Sequence, residues 1–114
     1  MPYPSLLNAR PGVPGSFGLE VDSRHPAFQG HFPENPILSG LIQVDWALRL
    51  GYDTFGALGT FRRLDQVKFK SPIRPAEPVE LCLSWNPTEQ RLAFCYTGRE
   101  GVKSQGIAVF TPAP

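Results

Sequence analysis

The sequence predicts an α+β fold, with one helix laid against an antiparallel sheet. Helical apolar spacing occurs in one stretch, where Leu41, Val44 and Leu48 fall at i, i+3 and i+7. Elsewhere apolar and polar residues alternate, the period-two pattern of half-buried strands. Short turn sequences separate the strand-like runs after the helix, so neighbours pair antiparallel.

In order along the chain, Met1 to Gly15 is rich in proline and glycine and is expected to form no regular element. Phe17, Leu19 and Val21 alternate with Gly18, Glu20 and Asp22, marking a first strand. Ser23 to Pro26 then turns into a loop whose Gly30, Pro33 and Pro36 impose an irregular backbone. The helix follows Pro36 to Gly40, carries Ile42 and Trp46 on a second apolar side, and is expected to stop at Gly51. With two apolar sides it should be buried on nearly every flank.

Tyr52 to Gly59 is expected to be a loop and Thr60 to Phe69 a strand. On that strand Phe61, Arg63, Asp65, Val67 and Phe69 share one face; Arg62, Leu64, Gln66 and Lys68 share the other. Such mixed faces suit a strand covered on both sides or one at a subunit contact. Glu77 to Trp85 is the next strand, and Asn86 to Glu89 a turn. Leu92, Phe94 and Tyr96 alternate in a further strand; Gly98 to Gly101 form a hairpin connection, and Val102 to Phe110 the last strand.

Composition bounds the function. A chain of 114 residues is one small domain, 1–114, and its net charge of +1 argues against a broad basic face for nucleic acid. No apolar run is long enough for a membrane span, and the N-terminus has no signal-peptide pattern, so the cytoplasm is the expected location. Cys82 and Cys95 lie in apolar strand-like runs without metal-ligand spacing. They are expected to be two small buried thiols in a reducing compartment, with no metal or cofactor.

Two residues have chemical potential. His31 sits in the constrained loop, a base near neutral pH; Asp45 lies fourteen positions later on the helix, where the pattern calls for an apolar residue. A carboxylate inside an apolar surface loses hydration, which favours its protonated form unless it is paired. Structural roles remain open for both: a histidine beside proline is often a loop hydrogen-bonder, and an aspartate near a helix start can answer the macrodipole. His25, before Pro26, is expected to be a surface loop residue.

Gly30, His31, Phe32 and Pro33, then Pro36 to Gly40, then the helix bearing Asp45, resemble the signature of the β-hydroxyacyl-acyl-carrier-protein dehydratases. Val67 to Pro75 resembles a second family segment, and order and spacing agree across most of 17–110. Gln43, Asp45, Trp46 and Ala47 resemble the small aryl-polyene-type branch. Ser39 departs from the family's usual proline, and Arg49 stands where many members carry glutamine.

The resemblance implies a hot-dog fold, a curled antiparallel sheet wrapped around one long central helix. It also implies removal of water from 3-hydroxyacyl thioesters to give trans-2-enoyl thioesters, with His31 taking the C2 proton and Asp45 protonating the departing hydroxyl. Gly40, Phe32 and Pro36 would bind substrate, the Gly40 N–H facing the thioester oxygen. The implied partners are acyl carrier protein or a CoA thioester, and a second copy in a homodimer, or dimer of dimers, that joins His31 of one subunit to Asp45 of the other. Arg62, Arg63, Lys68, Lys70 and Arg74 are either a solvated strand surface or a dock for an acidic carrier. The rival functions are a hot-dog thioesterase and a non-catalytic carrier-binding or subunit module.

Overall fold

The computed structural model describes residues 5–9, 15–28 and 37–112. Its strands are β1 Ser5–Ala9, β2 Ser16–Glu20, β3 Thr60–Phe69, β4 Val79–Asn86, β5 Arg91–Gly98 and β6 Gly101–Thr111; its one α-helix is α1 Gly40–Phe55. The strands form a single sheet in the order β1-β2-β4-β5-β6-β3, every neighbouring pair antiparallel. β1 corrects the expectation of an irregular Met1 to Gly15, because Ser5 to Ala9 adds to the edge of β2. The prolines in that segment's sequence flank the strand without interrupting it, as an edge position tolerates.

Sequence alternation becomes sheet alternation in the later strands. Leu81 and Leu83 of β4, Leu92, Phe94 and Tyr96 of β5, and Ala108 and Phe110 of β6 turn inward and are buried. Val44, Trp46, Ala47 and Leu50 of α1 meet them in one core, with Trp46 fully enclosed. The connection between β4 and β5 is held by the Asn86 side chain, which accepts from the N–H groups of Thr88 at 3.0 Å and Glu89 at 3.1 Å. This sheet, curled about one helix, is the hot-dog architecture.

Both ends of α1 follow local chemistry. Ser39 is the N-cap, and its hydroxyl accepts from the Ile42 N–H at 3.3 Å. Its φ of −59° falls within the range that proline would fix. The departure from the family's proline therefore keeps the backbone angle and adds a cap. The helix does not stop at Gly51. It runs on through Tyr52 to Phe55, segments expected to be loop, and ends at Gly56 (φ 83°), whose N–H donates to Tyr52 O at 3.0 Å. Gly51 is instead a close-packing position, since a Cβ there would lie 2.6 Å from Leu92 Cδ2.

Other expectations also change. Cys82 is exposed and Cys95 half-buried rather than both enclosed; both are free thiols, opposite one another in the β4–β5 register. They occupy the sheet face turned away from the helix, alternating with the inward leucines and aromatics. His25 is half-buried and packs edge-on against Trp46, with ring centroids 5.6 Å apart, so it is not a plain surface residue. On β3 the register shifts between Phe61 and Arg63 and again between Asp65 and Lys68. These irregularities break strict alternation, and Phe61 and Leu64, expected on opposite faces, line the same groove.

Candidate active site

The candidate site begins at the N-terminus of α1. Gly40 is the first helical residue, and N–H groups at such an end have no intrahelical partner and carry the positive end of the dipole. The Phe69 ring lies over it so closely that a Cβ at position 40 would come 2.6 Å from Phe69 Cζ. Gly40, Phe69, Ile37, Leu38 and Gln43 line a largely apolar groove of about 480 Å³, together with Lys70, Ser71 and Pro72. His31, Phe32 and Pro36, the other expected site residues of this region, lie outside the described residues.

Asp45 lies further along the helix, on a second groove of about 450 Å³ formed by Leu41, Ile42, Val44 and Leu48 with Phe61 and Leu64 of β3. The walls are apolar, as expected, but the enclosure is not. The Asp45 side chain is 42% exposed and sits 3.2 Å from the Arg49 guanidinium, one turn on. Leu41, on the same flank, is 82% exposed. The expectation of a helix buried on nearly every side therefore fails on this flank. Apolar periodicity identified a surface that needs covering; it did not say that the same chain covers it. Arg49, the second departure from the family pattern, supplies the ion-pair partner of the acid.

Beneath this flank lies a polar centre that sequence reasoning did not identify. The Tyr96 hydroxyl donates to Gln43 O at 2.7 Å. Burial, and then the negative charge of Asp45, push the Tyr96 hydroxyl well above the usual phenol range, so it is a fixed neutral donor. The Gln43 side chain is itself buried, accepting from Ser104 Oγ at 2.6 Å and donating to Leu38 O at 3.0 Å. An amide on an otherwise apolar helix face was the one sequence signal for this network.

The five expected carrier-docking residues do not form one patch. Arg62 and Arg63 lie where β3 runs beside the Val109–Phe110 end of β6, whereas Lys68 lies opposite Gln105. Lys70 is further along still, and eight residues of extended chain place it roughly 26 Å from Arg62. Arg63 is also engaged by Asp65 at 3.0 Å. Arg74 instead joins Arg99 and Lys103, together with Glu77 and Glu100, around a cavity of about 530 Å³. Arg99 and Lys103 were missed because they come from the β5–β6 hairpin, distant in sequence from the others. Among the described residues no group of three or more His, Cys, Asp or Glu could hold a metal ion, and no helix is long and apolar enough to cross a membrane.

Comparison with known proteins agrees with this fold. The family model ApeI-like, described as ApeI dehydratase, matches residues 14–107. The dehydratase heterocomplex ApeI:P from Xenorhabdus doucetiae contains a chain that superposes with a TM-score of 0.85 at 26% identity, covering 93% of this chain and 96% of that one. An uncharacterized protein from Erwinia carotovora subsp. atroseptica superposes with a TM-score of 0.77 at 33% identity, covering 85% of this chain and 82% of that one. The 3-hydroxyacyl-[acyl-carrier-protein] dehydratase FabZ of Caldanaerobacter subterraneus subsp. tengcongensis is 34% identical in an alignment that covers 77% of this chain and 61% of that protein. The FabZ of Rhodopseudomonas palustris strain TIE-1 is 29% identical in an alignment that covers 90% of this chain and 74% of that protein. The chain thus spans less than two thirds of the Caldanaerobacter relative and about half (48%) of the Thermoanaerobacter ones. With a family match over residues 14–107 and a superposition that covers 93% of its length, the chain belongs to the ApeI-like dehydratase family.

Proposed function

We propose that the chain dehydrates 3-hydroxyacyl thioesters, carried on acyl carrier protein or coenzyme A, to trans-2-enoyl thioesters for fatty-acid or polyene-type lipid synthesis. The carrying observation is a helix carboxylate, Asp45, on an apolar groove beside the open edge strand β3, with Gly40 at the head of the same helix. In this reading the imidazole of His31 removes a proton from C2. The C2–C3 double bond forms as the C3–O bond breaks, and Asp45 gives the leaving hydroxyl the proton that makes it water. The Gly40 N–H faces the thioester oxygen as negative charge gathers there, the place where a fixed donor contributes most.

A proton donor must hold its proton, yet in one chain Asp45 is open to water and paired with Arg49. A partner laid along β3 would cover Leu41, Phe61 and Leu64 and remove that water. The same contact would bring His31 of one chain to Asp45 of the other, giving composite sites in a homodimer. The Xenorhabdus doucetiae protein is a heterocomplex, so a different partner chain is the competing assembly. Native mass spectrometry separates the two: a species at twice the 12.6 kDa chain mass supports the homodimer, and a monomer rejects it. Lys68, Lys70 and Arg74, at one end of β3 and the loop after it, would meet the acidic carrier, so the carrier KM should rise with ionic strength.

The test is turnover of 3-hydroxyacyl and enoyl thioesters by the pure protein, followed by mass spectrometry. His31→Ala and Asp45→Asn should each lower the rate by at least about 10²-fold while the circular dichroism spectrum stays unchanged. Wild-type rates in either variant would refute the assignment. Release of free thiol with C2 and C3 unchanged would make the protein a thioesterase instead.

A further inference from the structure

Gln43 is 3% exposed, and a buried amide is costly unless both of its ends are satisfied. Here both are: Oε1 accepts from Ser104 Oγ at 2.6 Å, and Nε2 donates to Leu38 O at 3.0 Å. Leu38 in turn donates its N–H to Ile73 O at 2.8 Å. On the neighbouring residue of β6, Lys103 O accepts from the N–H groups of Lys70 at 2.9 Å and Ser71 at 3.1 Å, and Lys103 Nζ donates to Pro72 O at 3.2 Å. These bonds close a ring that runs from the chain before α1, through Gln43 to β6, and back through 70–73. The ring frames the groove over Gly40.

Apolar burial alone holds a helix without direction, whereas hydrogen bonds fix its axial position and rotation. The first turn of α1 is held in the second way, through a side chain two residues before Asp45 and three after Gly40. A methionine with Ser104→Ala would replace both members of the Gln43–Ser104 bond by apolar groups, which can be nearly neutral for stability, and would leave Leu38 O as the one acceptor without its donor. Stability therefore gives only part of the reason for the amide, and the geometry of the helix end gives a specific one. We infer that Gln43 and Ser104 are positioning residues, which hold the Gly40 N–H and the Asp45 carboxylate in register with the substrate groove. The inference rests on the dehydratase reading above and extends it to residues that need not touch substrate.

The experiment compares wild type, the double variant Gln43→Met/Ser104→Ala, and the core truncation Leu81→Ala in steady-state dehydration and thermal melting. Because Leu38 O loses its donor, the double variant should lose some Tm, but less than Leu81→Ala. Its kcat should fall about ten- to a hundred-fold, because misplacement by about 1 Å costs that much. KM should stay within about two-fold, as expected for a loss confined to the transition state. Leu81→Ala should lower Tm and leave kcat in place. A double variant with wild-type kcat, or one whose loss is all in KM, overturns the inference while leaving the dehydratase reading intact. So does a Leu81→Ala variant whose kcat falls as far as that of the double variant, since the loss would then follow stability alone. A wild type that turns over no 3-hydroxyacyl thioester overturns the dehydratase reading itself, and the inference falls with it.

Discussion

Lys103 carries its charge into the sheet, with only 9% of its side chain exposed, and Glu77 meets it at 2.6 Å. Burial alone would raise the Glu77 carboxyl. The hydrogen bond from Lys103, the Arg74 N–H bond and the nearby positive charges outweigh burial and hold it below the ordinary 4.5. A carboxyl depressed in the folded chain binds protons more readily when unfolded, so its contribution is present above the ordinary value and is lost as pH falls through the depressed one. Glu77→Gln should therefore cost about 2 kcal/mol at pH 7, the scale of a hydrogen bond to a charged group. The difference from wild type should vanish in urea melts run well below pH 4.5. A gap of constant size across that range would place the stabilisation elsewhere. Asp45 illustrates the other outcome for a carboxylate on an apolar wall: its enclosure depends on a surface that one chain leaves open.

The helix shows how far local rules reach. The Pro36 to Gly40 segment and the apolar spacing were enough to locate the start of α1, but Gly51 was misread as its end, because a glycine that stops a helix and one that makes room for Leu92 look alike in sequence. Gly51→Ala measures the difference. Alanine should regain about 1 kcal/mol of helix propensity. Crowding fully buried Leu92 should cost about 1–3 kcal/mol. The net expectation is a lower Tm, and a higher one would mean that Leu92 gives way freely. The inward faces of β4 and β5 were legible because Leu81 and Leu83, and Leu92, Phe94 and Tyr96, alternate without interruption. β3 was legible as a strand, but its faces were not, since its register irregularities carry no clear residue signature. β1 was hidden because an edge strand takes its order from its neighbour more than from its own composition. The spread of the basic residues has a related cause: adjacency in sequence becomes distance along an extended strand, while Arg74, Arg99 and Lys103 meet only through the fold.

At the level of the whole molecule, β3 is the least finished part of the sheet. It is terminal in the strand order, mostly exposed along its length, and carries Phe61 at 39%, Leu64 at 37% and Phe69 at 54% exposure. Long open edges with apolar side chains are normally paired or covered. Leu64→Asp should convert the assembly to monomers in size-exclusion chromatography and, by leaving Asp45 wet, abolish turnover while the chain stays folded. An active Leu64→Asp monomer would mean that one chain suffices.

An unfinished edge also affects thermodynamics. When association completes the fold, each gain in binding is a gain in resistance to heat, set by mass action. Melting curves of the wild type should then move to higher temperature as the sample is made more concentrated, and those of Leu64→Asp should not. In the proposed assembly the chain would be most vulnerable when newly made and scarce, before it meets the surface that completes β3.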